Sequence, residues 1–191
     1  MALFRPTPAD WLVVGLGNPG AGYRDTRHNV GFRVAETLAE RWGLGRSRER
    51  YRARVHEGRA GPGGPRVAIL VPQTYMNEAG RSVGPARGAY RVPRERVLVV
   101  HDEIDLDFGD VRPRLGGGLA GHNGLKSVRA GLGGEDFARV RVGVGRPDTT
   151  DPEQVAAWVL ARFPEPPDAV ERLVADAANV AEDVIMERRE L

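Results

Sequence analysis

The chain has 191 residues, 41% of them hydrophobic, which suits one compact domain with a sizeable core and leaves two full domains cramped. It contains no cysteine, excluding a disulfide framework, a thiol nucleophile and a thiolate metal site. The formal charge is only +2, and Lys126 is the sole lysine, so the cations are almost all arginine, which stays charged and grips phosphate through two parallel hydrogen bonds. Gene base composition explains an arginine excess equally well, so placement has to decide its meaning. No apolar run approaches the roughly 18 to 20 residues of a membrane span, and the start, MALFRPTPADW, is too polar for a signal peptide. The expectation is a cytoplasmic chain forming a single domain over 1–191, with 1–9 as a flexible N-terminal extension.

In chain order, WLVVGLG (11–17) reads as a buried strand stopped by glycine. Residues 29–42 take a helical period, with Val30, Val34, Leu38 and Trp42 at i, i+4 spacing, so His28 sits at a loop-to-helix junction. YRARVHE alternates as a half-exposed strand, 58–66 is a turn and VAILVP (67–72) a buried strand, together a hairpin. RVLVVHDEIDL (96–106) is an apolar strand that delivers His101, Asp102, Glu103 and Asp105 at its carboxyl end. A glycine-rich loop then leads into a short helix across 115–132, ARVRVGVG (138–145) alternates as a strand, and 152–163 and 165–188 are helical around PEPP. Helices and strands mixed in this way predict an α/β fold, a single-domain three-layer α/β/α arrangement with a twisted mixed β-sheet.

Gly15, Gly17 and Gly20 have the G-x-G-x-x-G spacing of a dinucleotide-binding turn. That turn runs directly into a helix whose N-terminus faces pyrophosphate, whereas Pro19, Gly22 and Tyr23 delay the helix here and the next strand offers only Glu57 for a ribose. The alternative is that the loop presents Asn18, Tyr23 and His28 at the carboxyl edge of the sheet, where open α/β sheets bind ligands. HDEID ends a second strand at that edge and GHNG opens a helix, which lets His28, Asp102 and Asn123 meet.

Serine occurs only at 47, 82 and 127, never in a G-x-S-x-G elbow, so water has to be the nucleophile. A neutral histidine takes a proton from water while a carboxylate on its other ring nitrogen fixes the tautomer, a step contributing about 10² to 10⁴ in rate. His28 with Asp102 supplies that pair, and Asn77 or Asn123 can orient the water or donate to a developing oxyanion. Singly, each residue also has a plain structural use: a helix-end histidine, a strand-end aspartate, an Asx turn at Asn18 before Pro19. His56 reads as a surface residue, and His101, adjacent to Asp102 on a strand, points to the opposite face and packs inside. Two other classes stay open. One is a metal-dependent hydrolase using His28, His101, Asp102, Glu103 and His122, although strand alternation lets no more than two of 101–103 share an ion easily; the other is a non-catalytic RNA-binding module.

Arg112 and Arg114 lie on one side of an extended VRPR, and Arg139 and Arg141 on one face of RVRVGV with Val140, Val142 and Val144 opposite. The valines are expected to face a core and the arginines to face out, either as a solvated sheet face or as a phosphate-binding one. The helix at 152–163 carries Val155, Trp158 and Val159 on one side, a face for core packing or, alternatively, a rim over the cleft.

GLGNPG (15–20), TRHNVGF (26–32), PQTYMNEAG (72–80), HDEIDL (101–106), GGGLAGHNGLKS (116–127) and RVRVGVGRP (139–147), in this order and across almost the whole chain, closely resemble the bacterial peptidyl-tRNA hydrolase family. The resemblance implies a monomeric, metal-free esterase without cofactor that cuts the bond between a peptide and the terminal ribose of tRNA, recycling tRNA from aborted translation. By motif match it implies His28 as the base, Asp102 as its partner, Asn77 orienting substrate or water, and Asn123 near the tRNA end. Tyr23 and Tyr75 fall where the family contacts substrate, Met76 lines the same cleft, and Asn18 falls where blocked and free aminoacyl groups are distinguished. A peptidyl ester presents an amide N–H that Asn18 can accept, while a free aminoacyl ester presents an ammonium that a cleft without a carboxylate strands, at several kcal/mol. Basic residues matching Arg112, Arg114 and Arg141 lie near tRNA phosphate in the family, and Lys126 and Arg129 extend that patch. The sequence departs from the family's usual pattern at Leu119, often histidine, and Val71, often lysine.

Overall fold

The computed structural model describes residues 6–191. The expected N-terminal extension therefore lies partly outside the described residues; at its described end Ala9 donates its N–H to the Tyr90 carbonyl at 3.0 Å. Seven strands form one mixed sheet in the order β2-β3-β4-β1-β5-β7-β6. β1 (Trp11–Gly15) lies at its centre, flanked by β4 (Arg66–Pro72) and β5 (Val97–Glu103), with β7 (Ala138–Gly143) beyond β5. These four run parallel, and every residue of β1 and β5 is buried, which is why β1 and the first four residues of β5 read as unbroken apolar runs rather than alternating ones. β2 (Arg48–Arg50), β3 (Ala53–Arg59) and β6 (Val111–Leu115) pair antiparallel at the edges, β3 with β4 as the expected hairpin.

One face of the sheet is covered by α1 (Val30–Arg41) and α5 (Pro167–Ile185), whose Val34, Leu38, Leu173 and Ala177 pack on Val13, Ile69 and Val140. The other is covered by α2 (Gly80–Tyr90) and α3 (Asn123–Leu132), whose Val83, Tyr90, Leu125 and Val128 pack on Leu12, Leu70 and Val99. Each such fully buried aliphatic side chain contributes about 1.5–3 kcal/mol. The three layers match the expectation from the alternation of strands and helices.

Because α1 and α2 leave the sheet on opposite faces while β4 and β5 flank β1, the carboxyl ends of β1, β4 and β5 open a crevice at one edge. Gly15 and Gly17 of GLGNPG serve that edge by packing. A Cβ on Gly15 would sit 2.3 Å from the Gly31 carbonyl oxygen, and one on Gly31 2.3 Å from the Val100 oxygen, so the start of α1 lies directly on the strands. The loop thus brings the residues before α1 against the end of β5.

The sequence reading misses α2. Its GRSVGPARGAY contains three glycines and Pro85, all poor helix formers. Tertiary contact decides it: a Cβ on Gly80 would lie 2.0 Å from the Ser127 oxygen, so α2 and α3 touch backbone to backbone. The fourth helix, α4 (Pro152–Val159), starts at an Asp151 N-cap and contains no buried residue, so its Trp158 face is a surface rim rather than core. No helix among the described residues is long and apolar enough to cross a membrane.

Candidate active site

Asp102 sits in β5, 2% exposed, and accepts from two imidazoles. His28, in the turn Arg27–Asn29 that precedes α1, places Nδ1 3.0 Å from Oδ1 and 2.9 Å from Oδ2 of Asp102. His122, the N-cap of α3, places Nε2 2.9 Å from Oδ1. Neighbouring groups settle the tautomers. The Nδ1 of His122 accepts the backbone N–H groups of Gly124 and Leu125 at 3.1 and 3.3 Å, so its proton is on Nε2, facing the carboxylate. A carboxylate only accepts, so His28 donates through Nδ1–H and keeps a bare, basic Nε2.

Burial alone would push the Asp102 carboxyl up, but the charges and hydrogen bonds of His28 and His122 outweigh it and hold it below the usual carboxylate range. For His28 burial works against the proton, and the charge and hydrogen bond of Asp102 overcome it, raising it above the ordinary histidine value of 6.5. His101 behaves as expected of the opposite strand face. It is 1% exposed, donates Nδ1–H to the Asp102 carbonyl at 2.8 Å, and is pushed down to about 3, chiefly by burial and next by His122.

Asn18 is buried and braced by a side chain for which the sequence reading found no role. Asn29 accepts the Asn18 N–H through Oδ1 and donates Nδ2–H to the Asn18 carbonyl, both at 2.9 Å. The Asn18 side-chain Oδ1 accepts the Met76 N–H at 2.7 Å. The Oδ1 is thus committed to the backbone, which leaves Nδ2 as the side chain's remaining hydrogen-bonding group. The same bond draws the 3-10 turn Met76–Glu78 to the cleft, with Met76 buried, Asn77 exposed and Tyr75 59% exposed beside it. Asn123, exposed, follows the half-buried His122, whose ring centroid lies 5.1 Å from that of His28. Tyr23 is half-buried at the end of the preceding turn, where its carbonyl accepts the Thr26 hydroxyl at 2.8 Å. Asn18 also lines a groove of about 770 Å³ with Arg24, Phe32 and Arg33; His28, Asp102 and His122 do not, so the three-residue cluster stands at the open sheet edge outside it.

The basic residues divide. Arg112, Arg114, Arg139 and Arg141 share one sheet face in register, but Arg139 does not face out as expected. It is 1% exposed, donates Nη1–H to the Gly118 carbonyl at 3.0 Å and Nη2–H to that of Gly116, and so pins the glycine loop before His122. Burial lowers its hold on its proton, and so do the charges of Arg114 and Arg141. Arg141 is half-buried, with Nε 3.1 Å from Glu103 Oε2, while Arg112 pairs in the open with Asp110 at 3.3 Å. Arg114 is exposed, with its guanidinium over Gly117, and Lys126 is exposed on α3.

His28, Asp102 and His122 offer three ligand-type atoms within 4.8 Å of one another. His28 and His122 each turn toward Asp102 the ring nitrogen that carries the proton, which it would have to lose to ligate a metal. The two other groups of the metal reading are engaged elsewhere: His101 with backbone, Glu103 with Arg141 and the Asp105 N–H.

The chain matches the family model described as Peptidyl-tRNA hydrolase over residues 12–190. It is 49% identical over 187 residues to the peptidyl-tRNA hydrolase of Mycobacterium sp. (strain KMS), a match covering 91% of this chain and 95% of that one. To the peptidyl-tRNA hydrolase of Mycobacterium tuberculosis (strain ATCC 25177 / H37Ra) it is 45% identical over 179 residues, covering 93% and 91%. The crystal structure of peptidyl-tRNA hydrolase from Acinetobacter baumannii superposes with a TM-score of 0.81 at 34% identity, covering 95% of this chain and 91% of that one.

Proposed function

The chain belongs to the peptidyl-tRNA hydrolase family, and we propose that it hydrolyses the ester between the peptide and the terminal ribose of peptidyl-tRNA by histidine general-base catalysis, as a cytoplasmic monomer. The observation that carries the mechanism is the His28 Nδ1 at 2.9 and 3.0 Å from the two oxygens of a buried aspartate. Nε2 takes a proton from water as the water oxygen bonds to the ester carbonyl carbon. The bond to the ribose oxygen then breaks, and His28 returns its proton to that oxygen, leaving a free peptide carboxyl and a tRNA hydroxyl. Asp102 keeps the tautomer and balances the imidazolium while both its oxygens stay hydrogen-bonded.

The Asn18 Nδ2 donates to the substrate carbonyl, where negative charge develops, and Asn77 and Asn123 donate or orient water from the two flanking turns. An ammonium next to these uncharged amides finds no counter-charge among them, whereas a peptide amide carries no charge to balance; this supports selectivity for N-blocked substrates. Tyr23 and Tyr75 offer faces for the unpaired tRNA end, with Met76 below them. Arg114 and Lys126 carry the phosphate contact, with Arg112 after exchanging its exposed partner, a pair worth about 0–1 kcal/mol. Arg141 adds field at the site while held by Glu103.

The test is hydrolysis of N-acetyl-aminoacyl-tRNA against unblocked aminoacyl-tRNA by wild type and His28→Ala, each with and without excess chelator. The expected result is cleavage of the blocked substrate alone, unaffected by chelator and reduced by about 10² to 10⁴ in the variant. Full activity of His28→Ala would remove the base, and loss of activity in chelator would restore the metal reading.

A further inference from the structure

The turn that carries His28 is fastened to α4 by the residue before the base. Arg27 is 3% exposed, and its guanidinium carbon lies 3.7 Å from the centroid of the Trp158 ring and 6.0 Å from that of Phe163. Its Nη1 donates to the Trp158 carbonyl at 2.9 Å, its backbone N–H donates to the Ala161 carbonyl at 3.1 Å, and Thr26 forms a β-bridge with Arg162. Burial works against the Arg27 charge and Glu165 works for it. Trp158 also donates Nε1–H to the Gly145 carbonyl at 2.9 Å, just past β7. α4 itself buries nothing, so these contacts hold it down rather than a core face of its own.

We infer that Arg27 is a positioning residue: by stacking on Trp158 it ties α4 to the turn Arg27–Asn29, and the His28 ring is held on Asp102 only while α4 is docked. Two consecutive residues cannot move independently within one turn of 3-10 helix, so lifting Trp158 off Arg27 displaces the ring beside it. The same turn carries Asn29, the brace of Asn18, so both His28 and Asn18 depend on this set of attachments. This rests on His28 being the base, but it makes a statement about geometry that activity alone does not decide.

The experiment compares wild type, Trp158→Leu, Trp158→Phe and Arg27→Lys, with His28→Ala alongside. Leucine keeps apolar bulk without a ring face, phenylalanine keeps the face, and lysine keeps the charge without the planar fork. Steady-state kinetics on N-acetyl-aminoacyl-tRNA, NMR titration of the His28 ring and thermal unfolding are measured on each. In Trp158→Leu the expected outcome is a fall in kcat of about tenfold or more with KM within about threefold, since small misplacement of a reacting group is costly. The His28 titration midpoint moves down toward 6.5 as Asp102 is lost to it. Trp158→Phe restores most of both, and Arg27→Lys falls between. A loss of kcat that only tracks the unfolded fraction, with the His28 midpoint unchanged, overturns the inference. Hydrogen exchange on the wild type decides it without any variant: the Asn29 amide should open together with those of Val155 and Leu160, and an Asn29 amide that stays protected while α4 exchanges overturns it. Activity retained by His28→Ala would instead discard the base assignment, leaving titration and exchange to judge the attachment.

Discussion

Asp102→Asn tests the arrangement most severely, because it conserves shape and changes only charge and donor pattern. Asp102 accepts from His28 and from His122, at 2.9–3.0 Å in each case. An amide offers one oxygen that accepts and one NH₂ that donates, so one of the two histidines has to present a bare nitrogen. His122 resists, because its Nδ1 holds the Gly124 and Leu125 N–H groups; moving its proton there strands both donors, at about 1–3 kcal/mol each. His28 has no such anchor, and its proton moves to Nε2, which turns the base into a donor. Recovering the productive tautomer sets N–H against NH₂, and the imidazolium loses its counter-charge, so kcat is expected to fall by roughly 10³ to 10⁴, the scale of the equivalent change in a serine-protease triad. Residual activity should show its acid limb at lower pH, since Asp102 is what raises the affinity of His28 for a proton. The assay is hydrolysis of N-acetyl-aminoacyl-tRNA across pH, with the His28 tautomer read by ¹⁵N NMR. A folded variant whose kcat stays within about tenfold of wild type, with Nδ1 still protonated, would refute the reasoning.

Asn18→Asp keeps the oxygen that accepts the Met76 N–H and replaces the donor with a charged acceptor. The preference for N-blocked over free aminoacyl-tRNA should then narrow by roughly ten- to a hundredfold in kcat/KM, as a charge-assisted hydrogen bond to the ammonium contributes about 1.5–3 kcal/mol; an unaltered ratio removes Asn18 from selectivity. Arg114→Glu should raise KM for tRNA substrates and flatten its dependence on salt while sparing a short N-acetyl-aminoacyl nucleotide ester. Equal effects on both substrates contradict a phosphate contact. His101 refuses in the fold, down to about pH 3, a proton that it takes at 6.5 when unfolded. The stability this group contributes is complete above 6.5 and drains as pH falls, by about 1.4 kcal/mol per unit. His101→Asn retains a donor for the Asp102 carbonyl but not the titration, so urea unfolding between about pH 4 and 6 should lose a slope of one proton. Identical slopes would mean that His101 does not carry this dependence.

Local pattern determined much of this molecule. The apolar runs of β1 and of Val97–Val100 in β5 mark central parallel strands, the period of α1 places His28 just ahead of a helix, and the alternation of β7 puts Val140 and Val142 on one core face. His28 and Asp102 could be paired because one comes just before α1 and the other near the carboxyl end of β5, the edge at which open α/β sheets bind ligands. Strand parity gave the inward packing of His101 but not that of Arg139, since it reports which face a side chain takes and not what covers that face; the glycine loop closing over Arg139 is a tertiary fact.

Tertiary structure alone decided the rest. α2 has weak intrinsic preference and exists through backbone contact with α3. His122 gains its place from doing two things at once, capping α3 and donating to Asp102; from the sequence it was weighed only as a metal ligand, and its position within GHNG at the start of a helix was the signal for the role it takes. Asn29 and Arg27 flank the base, yet their partners Asn18 and Trp158 lie 11 and 131 residues away in the chain. A sequence fixes what each side chain can donate, accept or bury. Which donor meets which acceptor across such separations depends on how the sheet and its covering helices close, and that closure orients the Asn18 amide and holds His28 on Asp102.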